Sequence, residues 1–549
     1  MTRGDWWRHG VVYHIYPRSF ADSNGDGVGD LAGITSRLDY LNDGTPASLG
    51  VDAVWLSPFY PSPMDDFGYD VADYTGVDPL FGTLADFDRL VAGAHARGIR
   101  VIVDLVPNHT SDRHPWFLES RASRDSPKRD WYVWADSRPG GAPPNNWMSA
   151  FPRAGPAWSF DHRTGQWYLH SFLPQQADLN WWNPEVRRAM DEVVRFWLDR
   201  GVDGFRIDVA HRMARDPELR DNPVVAVGDP DDPTGQARAI RLAGTGVKLF
   251  DEDWPEVHEI LRGFRRTLDA YHDRMAVGEV YLLDLRKLAR YYGSGQDELH
   301  LAHNFVFLHQ PWKPEAFRSV VDEYAALLPP DAWPAHFLGN HDHSRVASRY
   351  DEGGNGPARA RVAAMMLLSL WGTPFLYYGE EIGMLDGQVP GDRVVDVDGR
   401  DPERTPMQWD ASPGAGFSSA APWLPVGAGA ERVNVAAERD DPTSMLSLYR
   451  RLIWYRKGSA ALRWGGYRSL SDAPASLYAF VREAPGERLL VALNFGGEPV
   501  RWALDPGLGD SSRLELSTDP ARRPGPLRPA ELVVGPDEGV ILQLGQPLG

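Results

Sequence analysis

Asp208 follows Arg206 by two residues, Glu279 closes the run MAVGE, Asp342 follows His341, and Asp104 precedes Asn108 and His109. Each group stands at the end of an apolar stretch. Taken singly, each reads as an ion pair or a capped turn. Taken together, Asp208, Glu279 and Asp342, three carboxylates without enough His or Cys ligands for a transition metal, point to acid–base or nucleophilic carboxylate chemistry. Cleavage of a glycosidic bond fits that set best. A retaining enzyme needs an ionised carboxylate to attack the anomeric carbon and a carboxylic acid to protonate the leaving oxygen. Asp208 is the candidate nucleophile, because Arg206 lies on the same strand face and can hold its charge. Glu279 is the candidate acid, because its neighbours Met275, Ala276 and Val277 favour the protonated form by desolvation.

A second constellation is DSNGDGVGD, residues 22–30, in which Asp22, Asn24, Asp26 and Asp30 alternate with small residues. It begins like an EF-hand calcium loop, but the twelfth position, which needs a bidentate Glu, is Gly33. Oxygen donors at every second residue, with the Val28 carbonyl, still suit a hard divalent cation, Ca²⁺ in the first place and Mg²⁺ as the alternative. A solvated acidic turn is the plain reading of the same residues.

The elements that must position these groups follow a repeated unit. Asn183 and Pro184 start a helix whose apolar stripe is Val186, Met190, Val193, Val194 and Trp197; Gly201 ends it, and the strand VDGFRID follows. A helix with Leu84, Phe87, Leu90 and Ala94 runs likewise through Gly98 into a strand at 100–106. Further strand candidates are 11–17, 51–58, 275–281, 300–307, 335–342 and 374–381, which makes eight. Eight strands with intervening helices predict an α/β fold of the (β/α)₈ TIM barrel type, whose catalytic groups gather at the carboxyl ends of the strands. The predicted barrel takes residues 1–109 and 181–463. An inserted domain after the third strand takes 110–180, rich in Trp, Pro, Asn and Gly, and a smaller excursion takes 218–250. Short alternating segments such as ASLYAFVR predict a C-terminal antiparallel β-sandwich over 464–549.

The whole chain bounds the partners. Its net charge of −19 disfavours nucleic acid and anionic membrane. There is no cysteine, no apolar signal core in MTRGDWWRHG and no run long enough to span a bilayer, so a cytoplasmic protein is expected, monomeric or a small homo-oligomer.

DSNGDGVGDL, DLVPNHTSD (104–112), QADLN (176–180), GFRIDVAH (204–211), GEVY (278–281), FLGNHD (337–342) and GRDPERTPMQWD (399–410) together resemble the alpha-amylase family of glycoside hydrolases, in particular its alpha-glucosidase and oligo-1,6-glucosidase branch. The resemblance implies Asp208 as nucleophile, Glu279 as general acid/base and Asp342 as a third carboxylate that binds sugar hydroxyls and favours the distorted ring. It implies that His109, Arg206 and His341 hold the nonreducing glucose, with Asp104 in support, and that 110–180 is the family's domain B. It implies that the loop of Asp22, Asn24, Asp26, Val28 and Asp30 holds a structural ion. Tyr69 offers a ring face to the sugar. By resemblance Asp70 pairs with Arg400, or less favourably Arg404, to wall off the terminal sugar, and Phe151 and Phe172 line the same pocket, core packing being the other reading of either ring. The implied activity is exo-acting, retaining α-glucosidase hydrolysis of short oligosaccharides, without an organic cofactor. Val209 matches members that favour α-1,6 bonds, whereas QADLN departs from the QPDLN typical of oligo-1,6-glucosidases. The alternatives are a transglycosylating glucosyltransferase or trehalose synthase-like isomerase, and a non-catalytic transporter-associated subunit, which would carry a membrane anchor.

Overall fold

Eight parallel strands form one sheet: β1 (Val12–Ile15), β2 (Ala53–Leu56), β3 (Arg100–Leu105), β4 (Gly204–Ile207), β5 (Met275–Gly278), β6 (Leu301–Ala302), β7 (Ala335–Phe337) and β8 (Thr373–Tyr377). The structure is a computed structural model that describes residues 5–223, 248–505, 508, 512–527 and 531–545. The strands are hydrogen-bonded in the order β6-β5-β4-β3-β2-β1-β8-β7. A parallel bridge between His303 and Ala335 joins the two edges and closes the barrel. Each strand is short, and its residues are buried on both faces, as a parallel sheet wrapped by helices requires.

Alternation along the strands decides what points inward. Val12, Ala53, Trp55, Ile102, Met275, Val277, Leu301, Phe337 and Phe375 pack together as the barrel interior. Phe205, Ile207, Val101, Val103 and Ala276 belong instead to the large cluster outside it. The inward parity of Ile102 carries on to Asp104, and that of Val277 to Glu279. Asp104 pairs with Arg206 across β3 and β4, and Val277 pairs with Arg206 across β5 and β4. These registers place the charged groups of three strands side by side.

The helices are held as their sequences dictate. Thr83 and Asp86 form a reciprocal capping box at the start of Leu84–Ala96, which buries Phe87, Leu90, Val91 and Ala94. The Asn183 side chain accepts the Glu185 N–H at the start of Pro184–Asp199, whose predicted stripe is buried in full. Gly201 then turns the chain into β4 at φ 95°, a left-handed conformation that glycine adopts without a Cβ penalty.

Residues 110–180 carry a helix, Pro115–Ala122, and a small antiparallel sheet of Trp134–Ala135, Gln166–Leu169 and Trp158–Asp161. A second ladder joins His109–Ser111 to Gln176–Asp178 and ties this excursion to the end of β3. The excursion expected at 218–250 falls mostly outside the described residues. At the C-terminal end, a six-stranded antiparallel sheet and the pair Val500–Trp502 with Leu532–Val534 bury Leu477, Val481, Leu490, Trp502, Leu532 and Leu542 in a core of their own. No helix among the described residues is long and apolar enough to cross a membrane.

The strand expected at 300–307 is corrected. β6 has two residues, and the Asn304 side chain accepts the Phe307 N–H to start a helical turn, Phe305–Leu308. An apolar run that looks like a strand is cut short because Asn304 caps it.

Candidate active site

A pocket of about 570 Å³ opens among the loops that follow the barrel strands, bordered by Asp208, Glu279, Asp342, His109, Tyr69 and Phe172 among others. Behind two of its carboxylates, and outside its lining, lies one guanidinium. Arg206 donates from Nη1 to Asp104 at 2.9 Å and to Asp208 at 2.6 Å, and from Nη2 to Glu279 at 2.7 Å. Its side chain is 1% exposed, so the fork is fixed by partners rather than by water. Asp104 is anchored further by Trp55 Nε1 at 3.1 Å and the Tyr69 hydroxyl at 3.0 Å. Burial pushes the Asp104 carboxyl up to about 6, against the pull of Arg206.

Val209 follows Asp208 at φ 36°, a strained conformation for a β-branched residue. The turn aims its N–H at Glu279 Oε2, 3.0 Å away. Burial raises the Asp208 carboxyl well above the usual range, and Glu279 and Asp104 push the same way while Arg206 opposes. The shared guanidinium is what brings Glu279 beside Asp208, so that the charge of one acts on the other. Arg206 therefore opposes the upward push on Asp208 without cancelling it.

The third carboxylate is held differently. Asp342 Oδ1 accepts from Arg400 and from Arg404, each at 3.0 Å, and Oδ2 lies 3.3 Å from His341 Nε2. Burial alone would raise it, but His341, Arg400 and Arg404 outweigh burial and hold it well below the usual carboxylate range. His341 stacks on Tyr69 with ring centres 5.1 Å apart, and burial pushes its imidazole well below the usual range while Asp342 pulls it back.

Arg400 reaches past Asp342 to Asp66 at 2.7 Å and to Asp396 at 2.6 Å, and its guanidinium lies 4.9 Å from the centre of the Phe151 ring. This corrects the expected Asp70–Arg400 pair. Asp70 is fully buried and turned into its own loop, where it accepts from the Ser62 hydroxyl and the N–H groups of Asp65 and Asp66. Burial raises it to about 6. Asp66, three residues before Tyr69, borders the pocket in its place and is held from the other side by Gln176 Nε2 at 2.9 Å.

His109 Nε2–H donates to the Tyr69 carbonyl at 3.0 Å, which leaves Nδ1 to accept from Asn108. Phe172 leans on His109 and on Phe151, with ring centres 5.3 Å apart in both cases. Of the expected residues the structure brings Asp208, Glu279, Asp342, Arg400, His109, His341, Tyr69, Phe151 and Phe172 around one pocket and sets Arg206 behind it; Asp66 and Gln176 border it too, and Asp396 bonds Arg400, though the sequence did not single them out. Gln176 opens the QADLN motif, so its signal was present. Asp66 had none beyond being one of several Asp in its loop.

The loop 22–30 lies apart from the pocket. Asp22 accepts the N–H groups of Asn24, Gly25 and Gly27, Asn24 accepts Asp26 N–H, Asp26 accepts Val28 N–H, and Asp30 accepts Ser23 and Gly33. The donor chemistry, carboxylate and amide oxygens on successive Asx turns, fits a hard cation. Among the described residues no three His, Asp or Glu side chains converge as metal ligands.

With this geometry established, comparison with known proteins adds the lineage. The model of the alpha amylase catalytic domain matches residues 14–465. The chain belongs to the alpha-amylase family. It is 44% identical over 508 residues to a probable alpha-glucosidase of Rhizobium meliloti, covering 90% of each chain. It is 39% identical to an oligo-1,6-glucosidase of Parageobacillus thermoglucosidasius, covering 89% of this chain and 90% of the relative. A solved alpha-glucosyl transfer enzyme superposes with a TM-score of 0.89 at 40% identity, covering 98% of this chain and 99% of that one. Membership in the alpha-amylase family makes the chain a glycoside hydrolase by lineage.

Proposed function

We propose that this alpha-amylase-family chain is a retaining, exo-acting α-glucosidase that removes glucose from the nonreducing ends of short oligosaccharides. The carrying observation is that Asp208 and Glu279, both on the border of the pocket, bond one guanidinium at 2.6 and 2.7 Å, which sets two carboxyls side by side over a single sugar site. Asp66, Arg400 and Asp342 hold the hydroxyls of the terminal glucose and close the pocket behind it. Glu279 gives its proton to the glycosidic oxygen as the bond from C1 to that oxygen breaks, and a carboxylate oxygen of Asp208 bonds C1. Glu279, now ionised, takes a proton from water, the water oxygen bonds C1 and the ester to Asp208 opens. Arg206 holds the charge of Asp208 as it attacks.

Replacing Asp208 by Ala is expected to lower turnover of p-nitrophenyl α-glucoside by several orders of magnitude in a folded protein. NMR of the product should show α-glucose first. A β-anomer, or an active Asp208→Ala variant, would remove the assignment. The similarity to an alpha-glucosyl transfer enzyme favours a second acceptor, a sugar hydroxyl in place of water, at the same intermediate; the products from maltose and isomaltose report that partition and the linkage preference.

The loop 22–30 is assigned a structural Ca²⁺, with Mg²⁺ as the alternative, supported by its run of oxygen donors. Chelation should then lower the melting temperature and calcium restore it. A transition unmoved by chelator, with no cation in elemental analysis, would refute the ion. We also place the cysteine-free chain in the cytoplasm, which cell fractionation tests.

A further inference from the structure

The pocket has a basic edge that the glucosidase reading leaves unused. Among the described residues three cationic side chains border it: Arg212, Lys248 and Arg400. Arg400 is tied to Asp66, Asp342 and Asp396, and Arg212 donates to Glu252 at 2.5 Å. Lys248 has no hydrogen-bond or ion-pair partner among the described residues, and it is not exposed. Burial and then Arg212 push its ammonium down, while Glu252 and Asp251 act the other way. Neither acid reaches it as a hydrogen-bond or ion-pair partner. Glu252 is taken by Arg212, and Asp251 accepts from Asn222 and is itself raised by burial. A half-buried ammonium that no carboxylate touches gains from an anion entering the pocket beside it.

Position decides which part of a substrate could bring that anion. Arg212 lies four residues past Asp208 in the turn after β4, with its guanidinium 5.7 Å from the centre of the Phe172 ring, and Lys248 is close enough to shift His211. The glucose end is walled by Asp66 and Asp342, whose carboxylates would repel an anion on the terminal sugar. The charge must therefore sit on the departing portion. We infer that Lys248, backed by Arg212, binds an anionic substituent carried by the leaving group, a phosphate monoester or a carboxylate, and that substrates so charged are preferred over neutral ones. This rests on the glucosidase reading.

The test uses the full chain and three aryl α-glucosides that differ at the para position: carboxamide, carboxylate and phosphate monoester. Carboxamide and carboxylate have the same shape, and aryl leaving groups avoid the question of linkage. The inference expects at least roughly tenfold higher kcat/KM for one or both anionic compounds than for the carboxamide, chiefly through KM, shrinking as salt is added. Which of the two is preferred names the anion. Lys248→Met should erase most of that preference, and Lys248→Arg should keep it. The ratio between substrates within each variant cancels any general loss of activity. An enzyme that cleaves the carboxamide as well as or better than both anions overturns the inference alone, as does a preference that survives in Lys248→Met. Release of the phenol from none of the three would bring down the glucosidase reading and this inference with it.

Discussion

Asp66 reaches across to Arg400 at 2.7 Å, while Asp70, four residues on, accepts three hydrogen bonds from its own loop. The difference predicts opposite consequences for one chemical change. Asp66→Asn removes the charge that faces a buried guanidinium, and a broken buried pair of this kind costs about 2–5 kcal/mol. It should lower kcat/KM on p-nitrophenyl α-glucoside by roughly 30-fold or more. Asp70→Asn, outside the pocket, should lower it by under roughly tenfold. The reverse ranking would restore the Asp70–Arg400 wall. The same pair shows where the sequence was legible. Arg206, Asp208 and Glu279 were readable because strand parity puts alternate residues on one face. DDFGYD lies in a loop, where no period says which carboxylate turns outward, and a choice between its Asp residues needs the path of the backbone. The upward shift of Asp208 was not readable either, since it depends on Asp104 and Glu279 meeting it from other strands while Arg206 opposes from its own.

Among elements, the unit most plainly written in the sequence is the helix Pro184–Asp199 with its cap, its stripe and the glycine that ends it. Its stop has a stated cost. Gly201 sits at φ 95°, and a Cβ there would meet Val91 Cγ1 at 3.3 Å. Gly201→Ala should destabilise the chain by about 1–3 kcal/mol, read as a lower denaturant midpoint. Because this turn feeds β4, which carries Arg206, the loss should appear before any change in KM. An unshifted midpoint would mean that the turn relaxes freely. The sixth strand shows the limit of such reading. HLAHNFVF has the apolar density of a buried strand, yet Asn304 finds the Phe307 N–H and the chain turns helical. Composition could not separate the two, since a short apolar run suits either element. The closure of the barrel through His303 and Ala335 likewise depends on the register of two distant segments.

At the scale of the whole molecule, burying so many titratable groups couples stability to pH from two sides. Burial raises Glu380 and Glu403 to about 8, Glu438 to about 7 and Asp70 to about 6. A carboxyl raised in the folded state gives stability that is fully present below its unfolded pKa of about 4 and lost as pH rises through the folded value. Burial lowers His114 and His336 to about 4 and His343 to about 3. A lowered histidine favours the folded chain above about pH 6.5 and loses that advantage as pH falls toward the folded value. The two trends cross, so stability should be greatest between about pH 5 and 6.5 and should fall on both sides. Glu380 offers the cleanest check on the alkaline limb, because neither carboxylate oxygen has a hydrogen-bond partner among the described residues. Glu380→Gln keeps the shape and removes the titration. Its midpoint should fall less steeply than the wild type's between about pH 5 and 8, and above about pH 8 the variant should be the more stable protein by a few kcal/mol. Thermal melts of both proteins across that range decide the matter: parallel alkaline limbs would show that Glu380 ionises as freely in the folded chain as in the unfolded one.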